Sequence, residues 1–119
     1  MLDYILEVGQ SHEKKITFRL QVCNRGGEDR YFTFGSSQEV DFVVERDGKP
    51  VWSWSADRAF NMALHDKTVR RGQAMAPYEA AWPKQDSAGK PVGPGQYVVK
   101  AYFLGAGRTS PVAQQEFTV

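Results

Sequence analysis

The sequence predicts an all-β fold, an antiparallel β-sandwich of about nine strands. Three observations carry that expectation. Apolar and polar residues alternate with period two over most of the chain. Turn residues recur every ten or so positions. Only one short stretch has helical spacing, so the pattern suits a sandwich or barrel better than alternating strand and helix units.

The strands follow in order. Leu2, Tyr4, Leu6 and Val8 alternate around Asp3 and Glu7. Ile16, Phe18, Leu20 and Val22 alternate with Thr17, Arg19, Gln21 and Cys23, which lays one face on a core and turns the other to water. A short strand is expected at 30–34. Val40, Phe42 and Val44 form the next face, and Asp47-Gly48 then predicts a two-residue hairpin, because both central positions favour positive φ. Short strands are expected at 50–54 and 67–70. Residues 73–82 place Ala74, Ala76, Tyr78, Ala80 and Trp82 on one face. Pro77 interrupts this segment and cannot donate to a ladder, so the strand is an edge or is bulged there. Tyr97, Val99, Ala101 and Phe103 form a further strand, and the last carries Phe117 and Val119.

The breaks between strands are equally legible. Asn24-Arg25-Gly26-Gly27 and Arg71-Gly72 punctuate the pattern. The stretch Pro83–Gly95, rich in Pro, Gly, Lys and Ser, is the longest loop. Residues 55–65 are the one helical possibility: Ser55 or Asp57 would cap at most one short turn near 56–64, with Phe60 and Leu64 four apart on one face.

Size and charge bound the function. A chain of 119 residues is read as one domain, 1–119, long enough to bury roughly two-thirds of its unfolded surface without a metal or disulfide staple. A net charge of +1 lacks the basic excess of nucleic-acid binders. Lys67, Arg70 and Arg71 cluster locally and read as a solvated strand end. Cys23 is the single cysteine, which favours a reducing compartment. Met1-Leu2-Asp3-Tyr4 has no basic segment followed by an apolar run, and no run approaches bilayer length, so no membrane association is expected. The expected location is the cytoplasm, although a processed secreted fragment would share these features.

Residue chemistry points away from catalysis. His12 and His65 have no ligand at helical spacing, so neither suggests a metal. No nucleophile-elbow pattern surrounds any serine. Cys23 falls on the polar side of its strand, with Arg25 the only positive charge close in sequence, and reads as a bland thiol. Gly93-Pro94-Gly95 lacks the further glycine and helix of a dinucleotide site, and reads as a loop entering a strand. No cofactor is implied. Trp52 and Trp54 share one face of a strand; they suit either a ligand platform or packing between sheets, the commoner fate of paired large aromatics.

Several stretches, taken together, resemble the BsuPI family of bacterial intracellular proteinase inhibitors. They are Leu20-Gln21-Val22-Cys23-Asn24; Phe34, Ser36 and Gln38 before Asp41-Phe42-Val43-Val44; Gly48 with Val51-Trp52-Ser53-Trp54-Ser55, Phe60 and Ala63-Leu64; and Trp82 with Pro94-Gly95-Gln96-Tyr97-Val98-Val99-Lys100-Ala101. The resemblance spans roughly residues 15–119, and the block from Asp41 to Leu64 is its most specific part. Ser37, Val40 and Arg71 depart from the family's usual Gly, Tyr and Pro. The resemblance implies an immunoglobulin-like sandwich and a non-enzymatic inhibitor of serine proteases, subtilisin-like enzymes included.

No family motif assigns a protease contact, so the binding loop is sought by its position at a sandwich end. The candidates are Ser55–Asp66 and Pro83–Gly95. The first is preferred, with Arg58, Asn61, Met62 and Leu64 as expected contacts. Its competing reading is that Phe60 and Leu64 plug the end of the sandwich. The alternative function is an interaction module for another protein or a carbohydrate, suggested by the Pro77 edge and by Trp52.

Overall fold

The computed structural model describes residues 1–10, 14–106 and 110–119. Among the described residues nine strands run in the order β1 (Leu2–Gln10), β2 (Ile16–Asn24), β3 (Arg30–Phe34), β4 (Val40–Arg46), β5 (Lys49–Ser53), β6 (His65–Val69), β7 (Tyr78–Trp82), β8 (Gln96–Phe103) and β9 (Ala113–Thr118). They form a three-stranded sheet β1-β2-β7, a two-stranded sheet β3-β6 and a four-stranded sheet β5-β4-β8-β9, with every pairing antiparallel.

The core lies between the alternating faces read from the sequence. Ile16, Phe18, Leu20 and Val22 of β2 meet Val40, Phe42 and Val44 of β4 and Tyr97, Val99, Ala101 and Phe103 of β8, all buried. Phe32 and Phe34 of β3 close one end edge-to-face against Phe103, with centroids 5.0 and 5.6 Å away. Trp82 sits among Phe18, Trp52, Tyr97 and Phe117.

The Asp47-Gly48 hairpin forms as expected. Asp47 has φ 53° and Gly48 φ 77°, and Arg46 pairs with Lys49 across the turn. The register slips between Val44 and Glu45, because Val44 pairs with Trp52 while Glu45 pairs with Pro50. The extra residue is Val51, and Pro50 lies on an edge strand, where its missing N–H is tolerated.

Strand β7 departs in part from its predicted face. Tyr78, Ala80 and Trp82 do turn inward, but Ala74 and Ala76 are exposed and Met75 packs on the core instead. A bulge is the cause. Leu20 pairs with Tyr78 and Cys23 with Ala74, so three steps along β2 face four along the other chain. One extra residue around Pro77 reverses which side chains point inward. Among the described residues β7 pairs only with β2, so Pro77 interrupts an edge.

The end of β2 is locked by Asn24, which is 1% exposed. Its Nδ2 donates to the carbonyls of Glu28 (2.8 Å) and Val69 (2.9 Å), and its Oδ1 accepts from the Gly26 N–H (3.0 Å). One amide thereby joins β2, the following turn and the end of β6.

Helical structure among the described residues is limited to a 3-10 turn at Leu104–Ala106, not the 56–64 region. Ser55 does not cap a helix there, because its hydroxyl and N–H both donate to Asp41, at 2.6 and 3.1 Å. Two tight turns follow, from Ala56 N–H to Ser53 O and from Arg58 N–H to Ser55 O, and the chain then runs without regular structure to His65. Strand β6 begins two residues earlier than expected, so the preferred loop closes at Leu64 and Asp66 belongs to the ladder.

Candidate functional site

The segment from Trp54 to Leu64 is tethered at its start, its middle and its end. Asp41, 3% exposed, holds the start: besides Ser55 it accepts the N–H of Phe42 (2.9 Å), so one buried carboxylate ties β4 to the loop. Arg58 folds back over Trp54, its guanidinium 4.4 Å from the ring and its Nε donating to the Trp54 carbonyl (3.1 Å). Phe60 packs on the same indole with centroids 5.8 Å apart. Asn61 is clamped through its main chain: its N–H donates to Ser37 Oγ (3.1 Å), and its carbonyl accepts the Ser37 N–H (3.0 Å).

His65 holds the end. Its Nδ1 lies 2.9 Å from the Ala63 carbonyl and its Nε2 2.7 Å from Glu39 Oε2, while the ring stacks on Phe34 at 5.0 Å. Glu39 Oε1 also accepts from the Tyr78 hydroxyl (2.6 Å) and Lys67 Nζ (2.8 Å). Both imidazole nitrogens therefore face acceptors, an arrangement that only the doubly protonated ring satisfies.

The four expected contacts occupy one segment and divide within it. Met62 is 87% and Leu64 74% exposed, so both project into solvent. Arg58 is committed to Trp54. Asn61 is exposed, with its backbone held. The expectation that Phe60 and Leu64 plug the sandwich end is corrected for Leu64. Without a helix the two residues do not share a face, and only Phe60 packs inward.

The second loop, Pro83–Gly95, is a folded miniature hairpin. Asp86 Oδ1 accepts the N–H groups of Ala88 and Lys90 (2.9 Å each), Asp86 N–H donates to Lys90 O, and Val92 N–H donates to Lys84 O. Trp82 Nε1 donates to Gln85 O (2.8 Å). Arg46 lies over the Tyr97 ring at 5.1 Å, and Tyr97 donates to the Gly93 carbonyl, so Gly93-Pro94-Gly95 leads into β8 as a pinned entry. A groove between the loops is lined by Trp52, Asp57, Arg58, Gln85 and Asp86. Trp52 is half-buried and leans on Phe18 and Trp82, so it is mainly core material and not a free platform.

Other sequence expectations resolve as follows. His12 lies outside the described residues. Lys67 is not a freely solvated cation, because it pairs with Glu39. Cys23 is a partly covered free thiol. Among the described residues no group of three His, Cys, Asp or Glu could hold a metal, and no helix is long and apolar enough to cross a membrane. His65 does meet a carboxylate, but both ring nitrogens are occupied by Glu39 and Ala63. Neither is left to take a proton from a nucleophile. In the sequence Ser37 stands out only as a departure from the family pattern and Tyr78 only as a strand-face residue, and Glu39 does not stand out at all.

Charge at the latch sets a pH dependence. His65 titrates above its ordinary 6.5: the Ala63 carbonyl raises it most and Glu39 adds to the effect, while partial burial opposes both. Burial pushes Glu39 up, yet the hydrogen bonds from Lys67, Tyr78 and His65 outweigh it and hold the carboxyl below its ordinary 4.5. Burial, with Glu39 beside it, pushes the Tyr78 phenol up. A raised histidine stabilises the fold fully below 6.5 and ceases to do so as pH climbs through its folded value; a lowered carboxylate stabilises above 4.5 and ceases to do so as pH falls through its folded value. The latch is thus strongest between those limits. Urea midpoints of the wild type should fall from pH 5.5 to 8.5 relative to those of His65→Ala. Parallel profiles for the two proteins would rule the latch out.

Residues 2–108 match the family described as BsuPI, intracellular proteinase inhibitor. Comparison with curated proteins returns no match. Among solved structures, the chain is similar to part of a β-glucosidase from Kluyveromyces marxianus in complex with glucose, with a TM-score of 0.51 and 14% identity, over 100% of this chain and 14% of that one. It is also similar to part of a β-glucosidase involved in saponin metabolism from intestinal bacteria, with a TM-score of 0.49 and 12% identity, over 100% of this chain and 16% of that one. The first likeness speaks to the fold alone.

Proposed function

This chain belongs to the BsuPI family of intracellular proteinase inhibitors, and from that premise we propose that it inhibits a subtilisin-like serine protease by laying residues 58–64 into an extended-substrate cleft. The observation that carries the reading is a segment without regular structure, exposed at Asn61, Met62, Ala63 and Leu64, whose neighbouring main chain is tied down at Asn61 and Ala63. A protease binds substrate as an added strand with side chains in pockets. A loop already immobilised by its scaffold loses less conformational freedom on entering such a cleft than a flexible peptide does. Asn61, Met62 and Leu64 are the proposed contacts. Arg58, earlier in the same segment, is held on Trp54. A lone cysteine suits the reducing cytoplasm, where such a target would be met.

The test is a titration of purified protein against several subtilisin-like proteases, with an unrelated β-sandwich as control. Residual protease activity should fall in proportion to added protein. Unchanged activity at micromolar excess across the set would exclude this function.

A further inference from the structure

We infer that Met62 is the side chain that enters the protease's primary specificity pocket, and that the target is therefore a protease preferring a long, unbranched apolar residue. The inference rests on the inhibitory reading above and deepens it.

The choice among the candidates follows from what each side chain already does. Arg58 is spent on Trp54, through both its ring contact and its hydrogen bond. Phe60 is packed on the same indole. Asn61 offers a short polar side chain next to its clamped backbone. Leu64 is exposed but directly precedes His65, where pairing with Phe34 begins, so the body of the sandwich stands beside it. Met62 alone combines large apolar surface, 87% exposure and a central position in the held stretch.

Its setting matters as much as its exposure. The residue before it is fixed by two hydrogen bonds to Ser37, and the residue after it by the Ala63 carbonyl on His65. No hydrogen bond to a described residue engages Met62 itself, so its N–H and carbonyl remain for strand addition by a partner. Interface energy concentrates in a few side chains that fill desolvated pockets. A methionine presented between two fixed points has almost all its apolar area available for such burial. Its unbranched, flexible chain fits a deep apolar pocket, whereas a shallow or charged pocket would reject it.

The experiment uses the full chain and three variants, Met62→Gly, Met62→Lys and Leu64→Gly, with circular dichroism and thermal unfolding to confirm that each folds. Since both side chains are exposed, unfolding temperatures should match the wild type. Inhibition constants are measured against a subtilisin-like protease and a trypsin-like protease. Met62→Gly should bind the subtilisin-like enzyme ~30-fold or more weakly. Met62→Lys should lose that enzyme and gain the trypsin-like one, whose pocket takes a cation. Leu64→Gly, which removes a proposed contact outside the pocket, should also weaken inhibition, but only by ~3-fold, since contacts at the edge of an interface carry less of the energy than the side chain in its pocket.

Two outcomes overturn the inference while inhibition itself stands: a wild-type inhibitor whose Met62→Gly variant is equally potent, or one in which Leu64→Gly carries the loss. A wild-type chain that inhibits no member of the set overturns the inhibitory reading and this inference together. The wild-type titration thus separates the two failures.

Discussion

Replacing Trp82 with alanine is expected to remove about 3–5 kcal/mol of folding stability, the range for truncating a large buried aromatic. Trp82 is fully buried. Its ring meets Tyr97 at 5.5 Å, Phe117 at 5.8 Å, Trp52 at 6.3 Å and Phe18 at 6.5 Å, so the indole joins residues from both faces of the sandwich. Those neighbours are held on separate strands and cannot all collapse into the void, which is why cavity cost adds to lost transfer energy. The change also orphans the Gln85 carbonyl, which accepts from Nε1 at 2.8 Å, and so loosens the Pro83–Gly95 hairpin. Urea unfolding should show a lowered midpoint with little change in slope. Trp82→Phe separates the two terms: it keeps much of the apolar contact and loses the hydrogen bond, for about 1–2 kcal/mol. A loss below about 1 kcal/mol in Trp82→Ala would contradict its central place in the core.

Replacing Asp41 with alanine is expected to cost about 2–4 kcal/mol and to weaken inhibition as well, because hydrogen bonds to a charged, buried group are worth more than neutral ones. Asp41 is buried, and its carboxylate accepts from Ser55 Oγ, Ser55 N–H and Phe42 N–H. Alanine would leave two main-chain donors without their acceptor at the point where the chain leaves β5 and enters the exposed segment. The segment would then enter a partner's cleft with more freedom to lose. Asp41→Asn keeps the side-chain carbonyl as an acceptor and should fall between wild type and alanine in both stability and inhibition constant. Full inhibitory potency in a destabilised Asp41→Ala protein would show that the loop does not depend on this tether.

Much of the fold was legible in local pattern. The inward faces of β2, β4 and β8 follow from strict alternation, and each is buried as expected. Asp47-Gly48 specified its own turn, since the required positive φ is a property of those two residues. Pro77 correctly marked an interrupted edge, but the phase reversal that turns Met75 inward did not follow from Pro77 alone. A bulge's extra residue is set by how two strands pair, not by either strand. The helical possibility at residues 55–65 is not taken up beyond two tight turns, for a similar reason: capping residues are present, but Asp41 takes Ser55 and Ser37 takes the backbone of Asn61.

The candidate segment was found from sequence as a loop between strands, and its exposed side chains Met62 and Leu64 were among those named. Its latch was not. Ser37 reaches Asn61 across 24 residues, Glu39 reaches His65 across 26, and Tyr78 reaches Glu39 across 39. Polar residues at strand ends have no periodic phase, so nothing in their spacing announces a partner.

By itself the sequence determined the sandwich faces, the hairpin and the family, because alternation, turn preference and motif are written in adjacent residues. The tertiary structure alone decided how the segment from Trp54 to Leu64 is held and which of its side chains stand in solvent. That depends on polar groups from distant strands converging on Glu39 and Asp41, where burial makes each hydrogen bond costly to lose.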